Sequence, residues 1–300
     1  MEMKKMTSSQ QSIYNHNMLY KKQKYNSAYT NMFYQDFCSH LSIALKNKRD
    51  YRNFYKIKSN ENLEELLEYN DYNFLEYDFD ELLRNNLLSL IHSGKEFIEI
   101  VRWYDENKLV KISFMPFKNL IQIHLFNYYF YLTKTNESKF RIGKINANDV
   151  IKMNVKEMGF SKRYFKRLFK KLRKLDYSNT DLSLILDKNS GYDTEVDKRK
   201  KEYIFLKECK KIRWLGRNYD NYYASQPYLL FVRMEEVKLK ENILTYLLKK
   251  YNERLNSIGD IYGFSGELYF DNKSVNYRKL LKELYEGTKT CEEVSKVFFD

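Results

Sequence analysis

Lys95–Phe117 reads KEFIEIVRWYDENKLVKISFMPF. Its apolar residues are largely β-branched or aromatic and fall into two near-alternating runs, Phe97 to Trp103 and Leu109 to Phe114, separated by the polar Asp105-Glu106-Asn107. Such side chains suit a pleated surface, and a short polar break between two of these runs predicts a hairpin. C-terminal to it, LIQIHLFNYYFYLTK predicts a third strand and KFRIGKI a short fourth, with Asn146 to Asp149 forming a cap or turn after it.

Outward from this β-rich centre the period becomes helical. YTNMFYQDFCSHLSIAL, through Met32, Phe33, Phe37, Leu41 and Leu45, predicts a helix behind a basic arm. The acidic ENLEELLEYNDYNFLEYDFDELL predicts one helix around Leu63, Leu66 and Leu67, and a second from Phe79 through Leu90. Further on, Ile151 to Asp187 reads as mostly helical, NSGYDTEVDKRKK as a loop, EYIFLKECKKIRWL as a helix and RNYDNYYASQPY as a loop. EEVKLKENILTYLLKKYNERLNSI predicts a long helix ending near Gly259, SGELYFDN a strand, and YRKLLKELYEG and TCEEVSKVFF two closing helices. The expected fold class is α+β, with helices around a β-rich central region. Three consecutive parts are expected: a basic arm and helix over 1–58, a helical and β-rich core over 59–187 ending in a basic helix, and a helical region with a short strand over 188–300.

That basic helix, Ser161–Leu175, reads SKRYFKRLFKKLRKL. At helical spacing Tyr164, Phe165, Leu168, Phe169, Leu172 and Leu175 form one stripe, while Lys162, Arg163, Lys166, Arg167, Lys170, Lys171, Arg173 and Lys174 occupy the rest. The formal net charge of the 300-residue chain is +13, which favours anionic partners. A phosphate backbone fits such a face because each neutralised phosphate releases counterions without base-specific geometry. The acidic Glu61 to Glu81 block of a neighbouring subunit is the other candidate partner.

Catalytic signals are sparse. His16, His40, His92 and His124 are isolated, and Cys38, Cys209 and Cys291 stand at no metal spacing, so no cofactor, no metal and no enzymatic activity are expected. Glu76, Asp78, Asp80 and Glu81 could ligate a divalent ion but read more simply as a solvated helix entry. Gly259, Gly263 and Gly266 lead into a strand and form no phosphate loop; they read as turn glycines. No run approaches the ~18 apolar residues of a membrane span, and MEMKKMTSSQQSIYNHN lacks the apolar core of a signal peptide, so neither insertion nor export is expected.

Two resemblances rest on these residues. NVKEMGFSKRYFKRLFKKL is similar to the second half of an AraC-type helix-turn-helix, through Gly159-Phe160-Ser161, Tyr164-Phe165 and Phe169-Lys170-Lys171. That likeness implies a non-enzymatic DNA-binding regulator or replication accessory protein. LLRNNLLSLIHSGKEFIEIVRWYDENKLVKISFMPF resembles the part of tailed-phage portal (connector) proteins that runs helix, turn, strand, polar hairpin, proline-bearing strand, with Gly94-Lys95-Glu96-Phe97 at the turn and Met115-Pro116 at the end. Asp149-Val150-Ile151 and the closing LLKELYEGTKTCEEVSKVFF match further portal segments. The portal likeness implies a cyclic homo-oligomer, a β-rich wing with ring-forming helices, and passage of double-stranded DNA. It also implies packaging ATPase and capsid partners, and a place in the virion after assembly in a host cytoplasm. A host-directed effector with an unfamiliar active site stays open as a third reading.

Overall fold

A computed structural model describes residues 4–5, 28–39, 56–58, 61–68, 79–117, 121–123, 127–134, 140–177, 194–212, 214, 225–269 and 276–299. In chain order the elements are β1 (Lys4–Lys5), α1 (Ala28–Ser39), β2 (Lys56–Lys58), α2 (Glu61–Glu68), α3 (Phe79–Ser93), β3 (Lys95–Asp105), β4 (Lys108–Phe117), β5 (Ile121–Ile123), β6 (Tyr128–Lys134), β7 (Phe140–Asn146), β8 (Val150–Asn154), α4 (Lys162–Tyr177), α5 (Thr194–Cys209), α6 (Gln226–Tyr262), β9 (Glu267–Tyr269), α7 (Tyr277–Tyr285) and α8 (Cys291–Phe299). The architecture is α+β. Its compact units are drawn differently from three consecutive blocks. One holds β1 to β9, α2, α3 and the part of α6 from Thr245 onward; the other holds α1, α4, α5, α6 up to Leu244, α7 and α8.

In the first unit β3 is the central strand. It pairs antiparallel with β4 along one edge, and with β8 and β1 along the other, Lys95 opposite Asn154 and Trp103 opposite Lys5. Both residues of the β3–β4 turn have positive φ, Glu106 at 45° and Asn107 at 68°, the backbone of a two-residue turn whose twist matches the flanking strands. Pro116 is tolerated because β4 is an outer strand of this sheet. Gly94, at φ 81°, ends α3 and sends the chain into β3. The run FIEIV departs from strict alternation because β3 is covered on both faces. Phe97 meets Tyr129 of a β5–β6–β7 meander, and Phe114, opposite Ile100, meets Tyr251 of α6 edge to face with ring centroids 4.7 Å apart.

Polar groups enter this core in pairs. Asn86 of α3 donates to the Tyr251 hydroxyl, and both are fully buried. Glu96 is buried nearby; burial pushes its carboxyl up from 4.5 to about 8, against a hydrogen bond with Ser89 that pulls it down. A carboxyl protonated in the folded chain and ionised in the unfolded one contributes most stability below its ordinary range, and loses it as pH rises through the folded value. Between about pH 5 and 8 the native state should therefore lose up to about 1.4 kcal/mol per pH unit from this group. Denaturant titrations across that range should show the loss in the wild type and a flatter profile in Glu96→Gln. Parallel profiles would mean that Glu96 folds ionised.

The second unit is helical. Phe33 and Phe37 of α1 stack on each other with centroids 5.1 Å apart, and their cluster takes in Phe165 and Phe169 of α4 and the indole of Trp214. Lys240 of α6 is buried here; its ammonium lies 5.1 Å from the Trp214 ring centroid and 2.8 Å from Glu236. A second cluster joins Leu230 and Met234 of α6 to Leu280 of α7 and Val294 of α8. Thr290 and Glu293 exchange hydrogen bonds as a capping box at the start of α8, 2.7 Å from the Thr290 N–H to the carboxylate and 3.2 Å in return.

Several expectations need correction. Ile151 to Asp187 does not begin as a helix: Val150–Asn154 is a strand, held by β3 of the sheet, residues 155–159 are a turn, helix runs only over Lys162–Tyr177, and 178–187 lie outside the described residues. The strand also removes the helix that a helix-turn-helix requires before Gly159. The supposed loop NSGYDTEVDKRKK contains the first turns of α5 from Thr194, because a charged stretch rich in Lys and Arg, both good helix formers, can be helical without an apolar period. LIQIHLFNYYFYLTK makes two strands. The long helix begins at Gln226, with Pro227 in its first turn where a missing N–H costs nothing, and includes Gly259, whose added Cβ would lie 2.2 Å from the Phe264 carbonyl oxygen. Leu41 and Leu45 of the first predicted helix, and most of the basic arm, lie outside the described residues.

Candidate nucleic-acid interface

Gly159, exposed at φ 82°, turns the chain from β8 into α4, and a Cβ added there would meet open space. The stripe read from sequence then fixes the helix: Phe165, Leu168, Phe169, Leu172 and Leu175 are buried, while Tyr164 is half-buried. All eight predicted cations, Lys162, Arg163, Lys166, Arg167, Lys170, Lys171, Arg173 and Lys174, are exposed.

They do not form one surface. Arg163, Arg167, Lys170, Lys171 and Lys174 share an arc of about 100° on α4. They line a cleft of about 560 Å³, closed on its other side by Glu208 of α5 and by Lys211 in the following 3-10 turn. Lys162, Lys166 and Arg173 point to one side of it and are not part of its lining. From Arg163 to Lys174 the cleft follows the helix for about 16 Å.

Sequence reading missed the far wall. Glu208 is almost wholly buried and accepts ion pairs from Lys171 and, at 2.8 Å, from Lys211. Burial pushes its carboxyl up, but the two lysine hydrogen bonds outweigh this and leave it below the usual range, so it is an anion at neutral pH. The Tyr164 hydroxyl donates to the Glu208 backbone carbonyl and ties α4 to α5. Two cleft cations thus share one internal carboxylate, while Arg163, Arg167, Lys170 and Lys174 have no carboxylate partner among the described residues. The signal in the sequence was only ECKK, far along the chain, and nothing local connects it to α4.

The other chemical candidates do not converge. Among the described residues no three His, Cys, Asp or Glu side chains are grouped to hold a metal. Glu76 and Asp78 lie outside the described residues, and Asp80 and Glu81 open α3 with their side chains undescribed. Cys38 and Cys209 are buried, and burial pushes the Cys38 thiol far up against a smaller opposite pull from Lys240, which suits packing rather than nucleophilic attack. No helix among the described residues is long and apolar enough to cross a membrane. No known protein family matches the chain, and no curated protein matches it in sequence.

Proposed function

We propose that the protein is a non-enzymatic nucleic-acid binder that holds the phosphate backbone in the cleft beside α4. The observation that carries this reading is the set of four exposed cations, Arg163, Arg167, Lys170 and Lys174, without carboxylate partners among the described residues along one side of a cleft. Paired surface cations would have little left for a ligand; these retain their full charge for phosphate oxygens. Binding of mixed-sequence DNA and RNA across a salt titration tests it. Affinity should fall steeply with salt and vary little with sequence, and absence of binding at low salt would overturn it.

The setting we propose is a portal-type ring at a capsid vertex, assembled in a host cytoplasm and carried in the virion, with packaging ATPase and capsid proteins as neighbours. Support comes from the order α3, Gly94, β3, two-residue polar turn, β4 with Pro116, which is the order the portal resemblance implies. Negative-stain images of the purified protein should show closed rings with a central hole. A strict monomer at every concentration and salt would end the ring reading and leave the cleft reading standing. Should the cleft meet an acidic neighbouring subunit instead, Glu65, exposed on α2, is a carboxylate it would meet.

A further inference from the structure

The helix that supplies Glu208 to the cleft carries a second exposed face. Lys200, Tyr203, Ile204 and Lys207 recur at helical spacing and lead toward Lys211, which lines the cleft; Ile204 lies one turn before Glu208. Tyr203 is 65% exposed, and Ile204 39%, so the ring is not a core anchor. The Lys207 ammonium stands 6.0 Å from the Tyr203 ring centroid, which leaves a flat aromatic surface beside a positive charge. Isolated exposed apolar side chains are ordinary. This one stands on the helix that walls a cleft lined with cations, about two turns before Lys211 of that lining, and cations together with an open aromatic face are what a single strand requires, phosphates on the former and a base on the latter.

We propose that the cleft takes single-stranded nucleic acid, with Tyr203 as a stacking platform for one base. The proposal rests on the phosphate reading of the same cleft. It separates single strand from duplex, because in a duplex both base faces are already stacked and an exposed ring gains nothing.

The test compares three labelled probes of one mixed sequence on the full chain: a DNA strand, the corresponding RNA strand and the DNA duplex. At equal salt either strand should bind more tightly than the duplex. Tyr203→Ala should weaken strand binding roughly 5- to 150-fold without changing the salt slope, and Tyr203→Phe should restore it. Tyr285→Ala, which removes a ring 94% exposed on α7, serves as the control and should leave binding unchanged. Tighter binding of the duplex, or a Tyr203→Ala variant within about twofold of wild type, overturns the stacking proposal alone. Failure of every probe to bind at low salt overturns the phosphate reading together with it.

Discussion

Replacing Arg163, Arg167, Lys170 and Lys174 together by Gln should flatten the salt dependence of nucleic-acid binding by roughly 3 to 4 units of log slope, at about 0.7 per contact for a single strand and about 0.9 for B-DNA. Between about 50 and 200 mM salt that removes some 50- to 150-fold of the wild-type fall in affinity. The four side chains are exposed and turned away from the buried stripe of α4, so stability should change by only about half a kcal/mol. A matched control is available on the same helix. Gln at Lys162, Lys166 and Arg173 removes nearly as much charge from residues that do not line the cleft, and should cost much less. Equal losses in the two variants would mean that net charge alone attracts the ligand. An unchanged slope in the cleft variant would reject the phosphate reading.

Phe37→Ala should destabilise the helical unit by roughly 3–5 kcal/mol, a large share of the 5–15 kcal/mol of a typical domain. Phe37 is 1% exposed and its ring meets Phe33, Phe160, Phe165 and Trp214, with the Trp214 indole edge to face at 5.6 Å. Truncation leaves a void bounded by α1, α4 and the Trp214 segment, which rigid rings cannot collapse to fill. In a Trp103→Phe background, Trp214 fluorescence during denaturant unfolding reads this environment; the midpoint should fall with little change in slope. A loss under about 1 kcal/mol would show that the aromatic cluster relaxes around the gap.

How much of this was legible in sequence depends on how local each determinant is. The α4 stripe was readable because period and charge agree within fifteen residues, and the β3–β4 hairpin because its turn is two residues long. β8 was misread although Val150, Ile151, Met153 and Val155 are all buried, since a four- or five-residue strand beside a helical segment is recognised only by its pairing with β3, more than fifty residues away. The eight cations were visible; which of them form a cleft was not. That division depends on Glu208 and Lys211, and the Lys171–Glu208 contact spans 37 residues of chain.

The short pairing of β2 with β9 sets a clock on synthesis. Lys56 lies opposite Tyr269, and Lys58 opposite Glu267, so the second strand leaves the ribosome roughly two hundred residues after the first. At about 5–20 residues per second that interval is about 10–40 s. The helical unit waits as well, since α7 and α8 complete its Leu230–Met234 cluster. Neither unit can close while the nascent chain is short, and the Phe33–Phe37 pair of α1 waits for its Trp214 cover until a later part of the chain is made. A ribosome that stalls before Glu267 therefore holds two unfinished cores rather than one finished domain, and ribosome-associated chaperones would meet apolar surface from both.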